Sequence, residues 1–556
     1  MKLSSEIYKE FENIVGADNI SDSPVILETY RCAAAQSSAH YGPYDHRTPT
    51  PMAVLMPGST SEVQKIIKLC NKYKYHYKAS GSFWSAHGYI AYDNSIQLDM
   101  RRMCDIKIDE KNMIAEVGPY ICAAQLNAEA MLQGLTSNVP GVGASSAVVA
   151  NSIGWMGSGP CSIYTGNTYE NLLSTEWVLP NGDIFNTGSV GSGCGWFCGE
   201  GPGPSSRAII RGNSGVAGEM GVCTRIAVRL SPWGGPNKLE PYGQPPAYKL
   251  NHPNFRFYIL GFPEWENWAK ANSLMWENDL AYALHRQFSI FGRDLKAAML
   301  RILTDPDKQL CDIPELRETE EAKREFELMK REVCIVMMGM TPSDLAWREE
   351  ALDNILKETG GWKDPMMLEP EMADWGLNYF IRMGHKNLNY VMCSSYEGHF
   401  GHGGKSIYNA AAVIEEAAAV KKEWEEKDHF FGALGGDAAL CNPGSNGGGG
   451  IHGWECFAQF DAHDKYSIKG TQEFIDNVSA KFLEEHNYGP DFGNSNENCR
   501  RPDGYGYTRE EQTKLLAAAK NYDHYIYQWK VMEAVNPNRL DNGYYFTLDP
   551  KAVGRE

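Results

Sequence analysis

The 556-residue chain lacks any run approaching the roughly 18 apolar residues that a membrane-spanning helix needs. Its amino terminus, MKLSSEIYKEFENIVG, lacks the apolar centre of a secretion signal. A basic surplus is also missing. Asp and Glu number 70 against 52 Lys and Arg, a net charge of −18, which disfavours nucleic acid or an anionic membrane surface as the main partner because like charges repel, though it leaves room for a local basic pocket. The 14 cysteines run from Cys32 to Cys499 without paired spacing. That pattern fits reduced thiols in a cytoplasmic protein rather than a disulfide framework. The nearest pair, Cys194 and Cys198 in GCGWFCGEGPGP, has no second pair with which to build a metal or iron–sulfur site, and packing of a glycine loop is the reading favoured for it. Two nucleotide signatures are absent as well. There is no GxxxxGK[ST], which excludes a P-loop nucleotidase, and no GxGxxG behind the first strand, which excludes a Rossmann dinucleotide site.

What the chain has in excess is glycine, 55 residues of it, concentrated in loops. MAVLMPGSTSEVQKIIKLC predicts a short buried strand, a Pro-Gly turn, a Ser or Thr cap and an amphipathic helix with Val63, Ile66, Ile67 and Cys70 on one face. Strands are predicted at YHYKA, SIQLDM and MIAEVGPY, a helix at AAQLNAEAMLQG, and a hairpin across STEWVLPNGDIFNTG with Asn181-Gly182 at its turn. GVCTRIAVRLSPWGG supplies one more strand and closes a first unit near Ser231 to Gly235. After a Pro-rich linker, FRFYILGF and VCIVMMGM are each a strand followed by a helix, which predicts an α+β cap. The glycine-rich stretch 432–453 is expected to be a loop, and the segment HYIYQWKVMEAVNPNRLDNGYYF to be helical before turning at Asn536-Pro537.

Two of the small-residue loops leave strands of the first unit: KASGSFWSAHG, Lys78 to Gly88, and NVPGVGASSAVVANSIGWMGSG, Asn138 to Gly159. Each is either a tight turn in close packing or a cluster of main-chain N–H groups free to approach a diphosphate.

The ordered series PGSTSEVQKIIKLC, ASGSFWSAHG, IAEVGPYICAAQL, VPGVGASSAVVANSIGWMGSG, YTGNTYENLLSTEWVLPNGDIFNTG and RGNSGVAGEMGVCTRIAVRLSP resembles the flavoprotein superfamily of vanillyl-alcohol oxidase and 4-cresol dehydrogenase. That superfamily also holds glycolate oxidase and D-lactate dehydrogenase subunits. The likeness is strong over about 51–232, looser over the cap, and returns at the tail VNPNRLDNG. It implies an α+β fold in which a two-part FAD-binding domain carries an α+β cap, with 1–235 as the first part, 236–500 as the cap and 501–556 returning to the FAD domain. It implies FAD as cofactor, with the diphosphate held by Ala79, Ser80, Gly81, Ser82, Phe83 and Trp84 and by the stretch from Pro140 through Gly141, Ala144 and Ser145 to Asn151. Gly154, Gly157, Gly221 and Val222 are then expected along the ribityl chain or the isoalloxazine ring. Phe83 and Trp84 either wall off the cofactor or pack as ordinary core.

Such an enzyme needs a group to take the substrate's hydroxyl proton. The candidates are Tyr390, His399, His402, His452, Glu455, Phe492 and Arg500. In the vanillyl-alcohol branch a cap histidine or tyrosine can bond the flavin; NLNYVMCSS offers Tyr390 at that place, as an anchor or as a half-buried strand tyrosine. Where that branch has an aspartate after Val-Pro this chain has Gly141, and its phenolate-binding Tyr-Arg pair falls near Phe492-Gly493, departures that weigh against phenol chemistry. The hydroxy-acid branch carries a Gly-His-x-Gly-Asp-Gly-Asn-x-His metal signature. GHFGHGGKS departs from it, with His402 where the aspartate belongs. His399 and His402 in a flexible loop could chelate an ion with His452 or Glu455, contact the substrate, or lie in solvent; no metal is assigned. His452, placed at the start of a cap strand, is preferred over Glu455 as the base. The expected reaction takes hydride from a small alcohol, a 2-hydroxy acid or a benzylic compound, and delivers electrons to dioxygen or to an acceptor protein on another chain. A para-alkylphenol dehydrogenase and an electron-transfer flavoprotein subunit are the alternatives, and a homo-oligomer is compatible with all three.

Overall fold

The computed structural model describes residues 2–31, 49–83, 92–140, 144–154, 159–201, 205–210, 219–238, 253–286, 331–368 and 522–536 as continuous runs. Isolated residues and short pieces are described elsewhere, among them 395–401, 439–441, 454–460 and 548–555.

A four-stranded sheet opens the fold, in the order Ile20–Ser21, Ala53–Leu55, Ser95–Asp99, His76–Ser80. Ala53–Leu55 and His76–Ser80 both run parallel to Ser95–Asp99, so a crossover must join the first to the second. The helix Thr60–Tyr73 is that crossover. Ser59 caps it by accepting from the Glu62 amide at 3.2 Å, and the Glu62 carboxylate accepts from the Gly58 amide at 2.8 Å. Val63, Ile66, Ile67 and Cys70 fall on one stripe and are all fully buried, as the sequence pattern predicts. Opposite that apolar face, the sheet carries an unusual buried polar row: Lys78, Ser80, Ser95, Gln97 and Asp99.

The second sheet is antiparallel throughout, in the order Ile106–Asp109, Ile114–Val117, Val222–Arg229, Leu172–Val178, Ile184–Asn186. Its last two strands form the hairpin read from Asn181-Gly182, where Gly182 takes φ +86° and its amide closes on the Leu179 carbonyl at 2.8 Å. Val178 and Val222 of this sheet belong to the same core as Ile96 and Leu98 of the first, so the two sheets share an interior.

The third sheet runs Ala283–His285, Glu332–Met338, Phe255–Gly261, Trp362–Lys363, again antiparallel. Its central strand explains its own uninterrupted apolar run: Val333, Ile335 and Met337 pack with Trp268 and Met275 of the helix Trp265–Glu277 and with Leu345 and Leu352 of the helix Pro342–Thr359. Cys334, Val336 and Met338 face the other way and join the core that holds Val117, Ile226 and Trp233. Both faces are covered, so no alternation is needed. The Pro-rich linker is not wholly irregular, since Glu240–Pro241 pairs with Tyr248–Lys249.

A fourth sheet joins Ser395–Gly401, Trp454–Phe460 and Ala439–Cys441. The C-terminal helix Tyr522–Val535 ends at Asn536, whose amide donates to the Met532 carbonyl and whose side chain donates to the Glu219 carbonyl at 3.2 Å. The architecture is α+β in two parts.

Candidate functional site

The first sheet, the second sheet and the helix Val148–Ile153 meet at a cleft of about 70 Å³. Ala79, Ser80 and Gly81 enter it from the end of one strand, Gly221 and Val222 from the start of another, and Val149, Ala150 and Ile153 from the helix. Glycine is required at two of these places. At Gly81 an added Cβ would lie 2.4 Å from the Pro119 carbonyl oxygen and 3.0 Å from the Ala147 Cβ. At Gly221, with φ +92°, it would lie 2.2 Å from the Val178 carbonyl oxygen.

Side-chain bonds fix the loops. Gln97, fully buried, donates through Nε2 to the Lys78 carbonyl at 3.0 Å, to Ser80 Oγ at 3.2 Å and to the Gly88 carbonyl at 3.3 Å, and Ser80 Oγ itself donates to Gly88. These bonds draw the two ends of the first small-residue loop together. The second loop is stitched to the helix Ala123–Leu132: the Ala123 and Ala124 amides donate to the Ser146 and Ala144 carbonyls, and the Val148 amide to the Ile121 carbonyl. Asn151 Nδ2 donates to Ser146 Oγ at 2.9 Å and to the Ala147 carbonyl at 2.8 Å. Gly157, with φ +90°, accepts at its carbonyl from Asn138 Nδ2 at 2.7 Å.

The sequence-selected residues therefore divide. Ala79, Ser80, Gly81, Gly221 and Val222 share one cleft; Ser82 and Phe83 follow in the chain, half-buried, outside its lining, and Phe83 packs against Leu27, Tyr30 and Val54. Pro140 and Ala144 are buried, Ser145 is exposed, and Gly154 closes the helix that holds Asn151. Trp84, Gly141, Tyr390, His402, His452, Phe492 and Arg500 lie outside the described residues. His399 needs a correction. The sequence reading puts it in a flexible loop, whereas it lies within the strand Ser395–Gly401, its Cα opposite that of Cys456. The glycines at 398 and 401 disguise a strand that antiparallel pairing with Trp454–Phe460 stabilises. Glu455 sits in that partner strand, opposite Phe400.

Sequence reasoning missed Tyr77, Met100, Pro119 and Cys223, which also line the cleft. Pro119 and Cys223 lie in quoted segments, IAEVGPYICAAQL and RGNSGVAGEMGVCTRIAVRLSP, and Tyr77 and Met100 in the expected strands YHYKA and SIQLDM, but none of these patterns marks its residue as facing a cleft. Burial pushes the Cys223 thiol well up, so this cleft cysteine is a packing group, not a nucleophile. Cys194 and Cys198 belong to a separate loop gathered by Ser189, whose amide and hydroxyl both donate to the Cys198 carbonyl. Among the described residues no group of three or more His, Cys, Asp or Glu could hold a metal ion.

Chemically, the cleft is lined by main chain, by Tyr77, Lys78 and Met100 and by smaller, mostly apolar groups, with no carboxylate, in a chain of net charge −18. A diphosphate would meet amides there without like-charge repulsion, so these residues fit a dinucleotide such as FAD. Residues 51–188 match the family described as an FAD binding domain. The mitochondrial D-lactate dehydrogenase [cytochrome] of Arabidopsis thaliana is 32% identical over 187 residues, 32% of this chain and 30% of that protein, so the match spans less than a third of the relative's length. The 4-ethylphenol oxidase of Gulosibacter chungangensis superposes with a TM-score of 0.69 at 16% identity, covering 99% of both chains. p-Cresol methylhydroxylase superposes with a TM-score of 0.66 at 15% identity, covering 98% of this chain and 97% of that one.

Fold and cleft together define an FAD-binding protein. Residues 51–188 are an FAD binding domain, the chain has the fold seen in 4-ethylphenol oxidase and p-cresol methylhydroxylase, and its cofactor is FAD.

Proposed function

We propose that this chain oxidises a small alcohol, a 2-hydroxy acid or a benzylic alcohol, and passes the electrons to dioxygen or to an acceptor protein. The observation that carries this reading is the convergence of Ala79–Gly81, Val149–Ile153 and Gly221–Val222 on one carboxylate-free cleft. FAD, when bound, supplies the two-electron acceptor. The chain's own work is to hold the diphosphate on main-chain amides, cover the reacting end with the cap, and accept the hydroxyl proton there. His452, His402, His399 and Tyr390 are the proposed groups on the cap side, a neutral imidazole being the suitable acceptor near pH 7. The proposal divides the chain into 1–235, 236–500 and 501–556. The backbone bond from the Tyr77 amide to the Leu540 carbonyl supports the return of the last part to the first. Cys70, Cys104, Cys122, Cys161, Cys194, Cys198, Cys223 and Cys334 are free thiols, which suits a reducing, cytoplasmic setting.

A hydroxy acid is favoured as substrate because the sequence relative is a D-lactate dehydrogenase. Oxidation of a para-alkylphenol is the second reading, supported by full-length similarity of fold to a 4-ethylphenol oxidase. Gly141, where that branch has an aspartate, speaks against it. Anaerobic mixing of the FAD-loaded protein with a panel of 2-hydroxy acids, benzylic alcohols and alkylphenols tests both. Bleaching of the flavin by a hydroxy acid or benzylic alcohol is expected. Bleaching by alkylphenols alone would replace the first reading with the second, and reduction only by a partner protein would leave a relay role in place of both.

A further inference from the structure

Tyr30 lies in the N-terminal segment, at the C-terminal end of the short helix Pro24–Thr29, far in sequence from either small-residue loop. Its hydroxyl donates to Asp99 Oδ2 at 2.7 Å. Asp99 is fully buried, and it also accepts from the Arg101 amide at 3.0 Å and from Arg101 Nε at 2.8 Å. Arg101 Nη2 in turn donates to the Tyr30 hydroxyl at 3.2 Å. Asp99 ends its strand directly beside Ser80, the residue from which the first small-residue loop departs. The Tyr30 ring, so anchored, meets Phe83 edge to face, with centroids 5.5 Å apart and planes at 72°. Leu27, Tyr30 and Val54 form a small apolar cluster, and Phe83 packs against it.

Phe83 itself has φ +53°, the left-handed region that a bulky residue occupies only when its surroundings hold it there. The edge contact with Tyr30 is a restraint of that kind. The geometry points to Tyr30 as a positioning residue: locked by Asp99 and Arg101, it holds Phe83 in its left-handed conformation and so presets residues 79–83 for the FAD diphosphate. This inference rests on the reading of that loop as a diphosphate cradle. The carboxylate and guanidinium fix the tyrosine, the tyrosine fixes the phenylalanine, and the loop's amides reach FAD already aimed, which lowers the ordering cost of binding.

The test is FAD affinity of the flavin-stripped full chain, read by quenching of flavin fluorescence, in wild type, Tyr30→Leu, Tyr30→Phe, Phe83→Gly and the double variants Tyr30→Leu/Phe83→Gly and Tyr30→Phe/Phe83→Gly. Tyr30→Leu is expected to weaken FAD binding about five- to tenfold, a loss of the size that one aromatic edge contact can cause. Tyr30→Phe keeps the ring but loses the bonds to Asp99 and Arg101, so it is expected to show part of that loss. Glycine tolerates φ +53° unaided, so adding Tyr30→Leu to Phe83→Gly should change affinity by less than about twofold. Equal losses from Tyr30→Leu with and without Phe83→Gly, or no loss in the wild-type background, would overturn the positioning role. Wild type that fails to bind FAD would instead strike the cradle reading itself. If Tyr30→Leu does not fold, Tyr30→Phe in the wild-type and Phe83→Gly backgrounds decides alone: a loss in the first that vanishes in the second upholds the positioning role, and equal losses in both, or none in the first, overturn it.

Discussion

The amide of Tyr77 donates to the carbonyl of Leu540 at 3.1 Å, so a strand residue that lines the cleft is bonded to the C-terminal segment. Around this bond, Asn538 Nδ2 donates to Asn71 Oδ1 at 2.6 Å and Lys74 Nζ donates to Asn538 Oδ1 at 2.8 Å. Leu540 is buried in the core shared by the first two sheets.

Leu540→Ala should therefore act on the cofactor domain even though it lies near the other end of the chain. Removing a buried leucine side chain costs about 2–3 kcal/mol, which corresponds to a melting shift of roughly 4–8 °C for a domain of this size. Thermal unfolding followed by circular dichroism checks it. A shift below about 1 °C would mean that the segment is not part of that core.

Gly81→Ala should strip FAD from the protein while Gly201→Ala should not. The first places a Cβ 2.4 Å from the Pro119 carbonyl oxygen, against backbone that cannot yield locally; the second meets nothing within 4 Å. The flavin-to-protein ratio after gel filtration measures the outcome, with a loss of at least about tenfold in affinity expected for Gly81→Ala.

Three thiols should make the protein sensitive to alkali. Burial raises Cys70 and Cys223 well above the ordinary thiol range and pushes Cys161 up to about 12. Each thus favours the neutral, protonated form in the folded state, whereas an unfolded thiol ionises near 8.5. The folded chain binds more protons between those values, so stability is full below about pH 8.5 and falls as pH rises toward 12. Melting temperature against pH, in wild type and in Cys161→Ala, is the check. The slope above pH 9 should be shallower in the variant. At pH 8, alkylation should reach the exposed Cys104 and Cys194 before any of the three.

If one of His399, His402 and His452 accepts the substrate proton, its replacement by alanine should lower kcat about 10²–10⁴-fold while FAD stays bound. Steady-state kinetics with the FAD content measured on the same samples separates the two effects. Unchanged turnover removes that histidine from the proposal.

Much of this architecture was legible in the chain. The stripe Val63, Ile66, Ile67, Cys70 declares a helix because its spacing matches one helical face, and Asn181-Gly182 declares a hairpin because only such residues tolerate that turn. The clustering of glycine and serine around residue 80 marked the stretch that enters the cleft through Ala79, Ser80 and Gly81. Less legible were contacts created by folding: Pro119 closing on Gly81, Tyr77 brought to the cleft by a strand, and Tyr30 reaching Phe83. No local pattern records such pairings. His399 was misread for a related reason, since a strand interrupted by glycines depends on its partner strands for stability, and those lie far along the chain.

The central claim is that side-chain-poor loops grip a flavin dinucleotide by its diphosphate. Titrating the flavin-stripped chain with FAD, and separately with riboflavin, tests it most directly. Saturable binding of one FAD per chain, with riboflavin bound far more weakly because it has no diphosphate, is the predicted result. No saturable FAD binding, or equal affinity for the two, would contradict the account.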